Sequence, residues 1–205
     1  MTTSRGGSVW SSTAGPISDR ARVYAETVSF RPADRVFVDE SKARGYYVVA
    51  TASATGSVQA SEKALRGLLK PGQQRIHFKS ESDSRRREIV ARLCELDVRV
   101  SVWLVRGVAD REARPLCLAA LTDKAPRDRV AHLVIERDAS LERADRQLIA
   151  AARRAHPAAE LRYEHAAPHD RPLLWVSDAV AWCYSNGGDG VRRVEAIVQG
   201  RVTRL

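Results

Sequence analysis

Apolar positions along the chain change their period several times, and each change marks an element. Val36-Phe37-Val38 and Tyr46-Tyr47-Val48-Val49-Ala50 are apolar at consecutive positions, as in strands covered on both faces. They predict strands over residues 35–40 and 46–52, joined by a hairpin turn at Ala43-Arg44-Gly45. Helical spacing follows over residues 57–70, with Leu65, Leu68 and Leu69 on one side and Pro71-Gly72 as the stop. Further helices are predicted over residues 82–96, 111–123, 141–155 and 173–184, the last ending at Asn186-Gly187-Gly188. Between them, residues 75–79, 98–105, 130–136 and 160–164 read as strands, and only a short strand is expected after residue 191.

Strands and helices alternate after an opening β-hairpin, which argues for an α/β fold with a mixed sheet covered by helices on both faces. At 205 residues and 44% hydrophobic, the chain can bury one sizeable core. Residues 1–30, rich in Ser, Thr and Gly at the start, are expected to form a flexible tail and lead-in, leaving residues 31–205 as a single domain. No apolar stretch approaches the roughly 18 residues that span a bilayer, and the start has no signal-peptide core, so a cytoplasmic protein with no membrane role is expected. Cys94, Cys117 and Cys183 form no CxxC pair, which argues against a zinc knuckle or a disulfide framework.

The charge adds a class of partner. Lys and Arg number 34 against 25 Asp and Glu, giving +9, a balance that favours a polyanion such as DNA or RNA. An Arg-rich composition inherited from a GC-rich genome would give the same number. Arg85-Arg86-Arg87 fan around more than half of their helix and read as a solvated face.

Acids stand at three places where charge is expensive. Asp39 and Glu40 end the first strand, Glu136 ends the strand over 130–136, and Asp178 falls in the apolar helix Leu173 to Tyr184. Alternation sends Val36, Val38 and Glu40 to one face and Phe37, Asp39 and Ser41 to the other, so of the two neighbours Asp39 is the better candidate. On its helix Asp178 projects from the stripe of Leu174, Trp175, Ala181 and Trp182, where acids are rarely left without a partner. The competing readings are local. In these Asp39 and Glu40 simply open the turn, Glu136 pairs with Arg137 or Arg129, and Asp178 with Arg171. Acids gathered from distant segments can instead share a divalent cation, and Mg2+ or Mn2+ takes such oxygen ligands together with substrate phosphate oxygens. Arg75, His77 and Lys79 would share one strand face beside the acids, His77 to move a proton or bind metal and Lys79 and Arg75 to hold phosphate. The other histidines, His132, His156, His165 and His169, lack the spacing of a zinc hydrolase.

The ordered set Phe37-Val38-Asp39-Glu40-Ser41, Ile76-His77-Phe78-Lys79 with Ser84-Arg85-Arg86-Arg87, Leu133-Val134-Ile135-Glu136-Arg137-Asp138 and Val176-Ser177-Asp178-Ala179-Val180-Ala181-Trp182 resembles a bacterial and phage family of unknown function with an RNase H-like fold. The resemblance covers about residues 34–190 and rests on the order of short motifs. It implies a metal-dependent nuclease with Asp39, Glu136 and Asp178 as catalytic metal ligands, His77 as a further catalytic group, and Glu40 or Asp138 able to substitute at the metal. Arg75, Lys79 and Arg137 would contact nucleic acid. The chain departs from the RNase H-like pattern in having Glu136 where Asp is frequent, and Glu62 is the one acid seen in the helix after the first strands. A fourth ligand would be absent or supplied by His77. The alternative role is a weakly active or inactive module for binding nucleic acid or protein, in a toxin or phage-defence assembly, with a protein partner or self-association.

Overall fold

The computed structural model describes residues 30–158 and 160–205, so the expected tail lies outside the described residues except for Phe30, which is buried against Trp103. Six strands form one sheet: β1 (Asp34–Ser41), β2 (Tyr46–Ala54), β3 (Arg99–Val105), β4 (His132–Glu136), β5 (Arg162–Ala166) and β6 (Thr203–Arg204). Their order is β5-β4-β1-β2-β3-β6. β1, β2 and β3 are antiparallel neighbours, while β4 and β5 continue parallel to β1, so the sheet is mixed and opens with the expected hairpin.

The unbroken apolar runs of β1 and β2 are explained by a helical layer on each face. Phe37, Tyr47, Val49 and Val134 pack against α1 (Val58–Arg66), α2 (Asp83–Leu93), α5 (Leu174–Asn186) and α6 (Asp189–Val194). Val36, Val38, Val48 and Ile135 pack against α3 (Asp110–Arg127) and α4 (Glu142–Ala155). Among the described residues no helix is long and apolar enough to cross a membrane.

Several expected boundaries move. Residues 75–79 are not a strand; this segment lies outside the sheet and passes into a 3-10 turn at Phe78–Ser80, so Arg75, His77 and Lys79 do not share a strand face. Its backbone groups are satisfied by side chains instead, with Phe78 N donating to Asp178 and Phe78 O accepting from Arg86. α3 runs beyond residue 123 through Pro126, where burial of Ala125 and Pro126 outweighs the missing hydrogen bond. β5 begins at Arg162, set by the pairing of His132 with Arg162 and Glu136 with Ala166. A helix, α6, precedes the short last strand.

At the start of β1, Asp34 is 1% exposed and accepts from Arg31 N at 2.7 Å and from Arg99 Nη2 at 2.5 Å, tying the beginnings of β1 and β3 across β2. Asp34→Ala would leave the buried Arg99 guanidinium without its counter-charge. A loss of about 3–5 kcal/mol in urea unfolding is expected, and a loss below about 1 kcal/mol would show that this pair does not hold the sheet.

Candidate active site

Register makes the first two acids neighbours. β1 and β4 pair in parallel with Phe37 opposite Val134 and Val38 opposite Ile135, and one step further along lie Asp39 and Glu136. Both leave on the face of Phe37 and Val134, under the α5 layer. Their carboxyl groups are close enough for the charge of Glu136 to act strongly on Asp39.

Asp178 reaches the same edge from α5, and two hydroxyl groups explain its placement. Ser177 Oγ donates to the Phe37 carbonyl at 2.8 Å and lies 2.7 Å from Thr51 Oγ1, both in buried surroundings. Ser41 Oγ donates to Ser185 Oγ at 3.1 Å. From Ser177 to Ser185 the helix rises about 12 Å, and from Phe37 to Ser41 the strand advances about 13 Å. The two spans match, so α5 lies alongside β1 with both contacts made and Asp178 at the strand's acidic end.

The 71–80 segment brings positive groups to these acids. Arg75 Nη1 lies 3.6 Å from Glu136 Oε1, and His77 Nδ1 lies 3.6 Å from Asp178 Oδ2. Phe78 N donates to Asp178 Oδ2 at 2.9 Å. The segment is held by Arg86, which donates to Phe78 O at 3.0 Å and Lys79 O at 2.8 Å and stacks over Trp182 at 4.3 Å. The Phe78 ring meets the same indole edge-on at 5.4 Å. Arg86 is therefore not part of a solvated face, a correction to the reading of the Arg85-Arg86-Arg87 run. Arg85 likewise turns inward to the Leu68 carbonyl and Glu88. Lys79 presents an exposed side chain at the segment's end.

Charge crowding dominates the electrostatics. Burial first, then the charge and hydrogen bond of Glu136, then the charge of Asp178, hold the Asp39 carboxyl well above the usual carboxylate range, with Arg75 pulling the other way. Burial also raises Asp178, opposed by Phe78 N–H, His77 and Arg75.

Asp39 Oδ1 accepts locally from Glu40 N at 2.7 Å, whereas the local pairings expected as alternatives for Glu136 and Asp178 are not made. Glu136 faces Arg75 rather than Arg137 or Arg129, and Arg171 goes to Glu164, Nε to Oε1 at 2.9 Å. Nor does the structure bring every candidate to the acid group. Glu40 leaves from the opposite face, where Tyr46 Oη donates to it, Arg114 pairs with it and Lys42 Nζ lies 3.2 Å away. Buried Arg114 also grips Asp145, Nε to Oδ1 at 3.1 Å and Nη2 to Oδ2 at 2.8 Å, and His165 Nε2 lies 3.0 Å from Asp145 Oδ2. Glu40 is thus the counter-charge of a buried arginine, which corrects its assignment with the metal-ligating acids. Asp138 accepts from Ser140 N and Oγ ahead of α4, and Glu62 sits with Arg66, Arg171 and Arg35 away from the acids. Arg137 is exposed just beyond Glu136, its Nη2 donating to His165 O at 3.2 Å. Sequence reading missed Arg114, Arg86 and Ser177; only Ser177 left a signal, as a polar residue beside Asp178 in an apolar helix.

Among the described residues no three His, Cys, Asp or Glu side chains are grouped so as to hold a metal ion, and Asp178 Oδ2 is engaged by Phe78 N with His77 Nδ1 3.6 Å away. The donor set is nevertheless all hard oxygen, with side chains 28% exposed at Glu136 and 23% at Asp178. An open oxygen site of this kind fits Mg2+ or Mn2+, which keep waters and accept phosphate oxygens.

No protein-family profile matches the chain, and no curated protein sequence does. Among solved structures, the chain is similar to one of the PCNA:RNase HII complex from Archaeoglobus fulgidus, at 19% identity and a TM-score of 0.50, covering 79% of this chain and 75% of that one. It is also similar to Bst-RNase HIII in complex with Mn2+, at 12% identity and a TM-score of 0.49, spanning 81% of this chain and about half, 55%, of that one. The fold is RNase H-like, a six-stranded mixed sheet that opens with a β-hairpin.

Because Asp39 binds its proton more tightly folded than unfolded, folding takes up a proton between the two pKa values. The penalty for ionising it is absent below the unfolded value and complete above the folded one, so metal-free stability falls as pH rises through that window. Asp39→Asn keeps the side chain's shape without the charge, and should stabilise the metal-free protein at neutral pH by about 1 kcal/mol. Urea midpoints measured from acid to neutral pH for both proteins test this; a variant less stable at neutral pH would contradict it.

Proposed function

We propose that the chain is a divalent-metal-dependent nuclease that hydrolyses phosphodiester bonds of DNA or RNA, with Mg2+ or Mn2+ held by Asp39 and Glu136 and completed by Asp178. The observation that carries this reading is the contact between Asp39 and Glu136 at the ends of parallel strands, with Asp178 near enough to raise Asp39 further. Strand ends are the usual place for sites in open sheets. When bound, the metal supplies an activated water and steadies charge on the phosphate oxygens.

The chain's own groups divide the remaining work. Arg75 stands at the acids' edge to take a non-bridging phosphate oxygen, with Lys79 and Arg137 steadying the backbone to either side. His77, half-exposed beside Asp178, is placed to move a proton to the leaving oxygen. The Phe78–Trp182–Arg86 stack holds that histidine's segment to the helix carrying Asp178. The free thiols of Cys94, Cys117 and Cys183 accord with a cytoplasmic setting.

A second reading is favoured by the pairing of the acids with Arg75 and His77 and by the hydrogen bond from Phe78 N to Asp178. In it the fold binds nucleic acid or a protein without turnover, within a toxin or phage-defence assembly. Labelled DNA and RNA oligonucleotides separate the two. In Mn2+ the parent chain should cleave, and Asp39→Asn, Glu136→Gln and Asp178→Asn should each slow it at least about 10²-fold. In Ca2+, binding should weaken about 10³-fold between about 50 and 200 mM salt, and less steeply for Lys79→Ala. Binding without cleavage under any divalent metal would favour the module.

A further inference from the structure

Across the strand ends from the acids, on the α3 and α4 side of the sheet, lies a cavity of about 420 Å³. Its floor is apolar, made by Val38, Val48, Leu118 and Ile135. One wall is the Arg114 guanidinium, held flat between Glu40 and Asp145. Arg137, Asp138 and Ala139, all exposed, form the mouth. Asp39 and Glu136 belong to its lining as well, so the cavity and the acid group share one rim.

The volume falls within the range of about 300–1,000 Å³ common to small-molecule sites. An apolar floor, a planar cation fixed in place, and one exposed donor and one exposed acceptor at the mouth are the complement of a heteroaromatic ring with polar edges. Because the acids and the cavity share a rim, a backbone held at the acids passes the cavity mouth. We propose that the cavity receives an unstacked nucleobase of a single-stranded nucleic acid whose backbone crosses Asp39 and Glu136. This rests on the reading of the acids as a nucleic-acid site and adds the substrate class. In a duplex, base faces and pairing edges are already occupied and must be freed before a base can enter.

The test is oligonucleotide binding to the full chain in Ca2+, followed by fluorescence anisotropy. A single strand should bind at least about tenfold more tightly than the same sequence as a blunt duplex, and an oligonucleotide made of abasic residues should lose about tenfold or more, since its backbone charge is intact and only the bases are gone. Ala139→Trp, a change at an exposed turn position that closes the mouth, should reproduce that loss on the ordinary strand and leave abasic binding unchanged. Equal affinity for abasic and ordinary strands overturns the base site, and needs no variant to do so; if Mn2+-dependent cleavage persists alongside it, the nuclease reading stands. An unchanged affinity of Ala139→Trp for the ordinary strand overturns it too. Failure to bind any oligonucleotide overturns the base site together with the nucleic-acid reading beneath it.

Discussion

Parallel pairing of β1 with β4 forces Asp39 and Glu136 into contact, and the geometry of the acidic edge follows from that constraint. Two ionised carboxylates about 4 Å apart repel by about 4 kcal/mol at the effective dielectric of a protein surface. The ladder and the two helical layers are strong enough to keep them together, so the strain is relieved in protonation rather than in structure. Burial and the charge of Glu136 raise the Asp39 carboxyl well above the usual carboxylate range. A cation placed between them would remove the repulsion and the need for a proton together, which is why an acid pair in a chain of net charge +9 reads as a site rather than an accident of packing.

The surroundings of the pair divide along the two faces of the sheet. On the α5 face, Ser177 and Ser41 fix the helix, and the Arg86-clamped segment from 71 to 80 supplies Arg75 and His77 as partial counter-charges. On the other face, Arg114 takes both Glu40 and Asp145 and so removes one acid from the edge. Neighbouring residues of one strand, Asp39 and Glu40, therefore have opposite roles: one is left short of positive charge, the other neutralises a buried cation. Alternation of side chains along β1 is the whole reason.

Much of this was legible in the residues because it is local. Unbroken apolar runs gave β1 and β2, two-residue alternation assigned Asp39 to the face of Phe37, and an acid in the apolar stripe of α5 pointed to Asp178. What was not legible depends on distant partners. Ile76-His77-Phe78 looks like a strand until its backbone is seen bonded to Asp178 and Arg86, about a hundred residues away in one case. The Arg114 network joins β1, α3, α4 and β5, and no single segment carries its pattern. α6 is too short for periodicity to reveal, whereas the short strand expected after residue 191 is β6.

The central claim is that the Asp39 and Glu136 carboxylates are a cation site. A crystal soaked in Mn2+ and measured for anomalous scattering tests it most directly. A peak is expected within coordination distance of both carboxylates, with Asp178 turned from Phe78 N towards the metal or its waters, and it should be lost in Asp39→Asn. An edge that stays free of anomalous density at millimolar Mn2+ would contradict the claim.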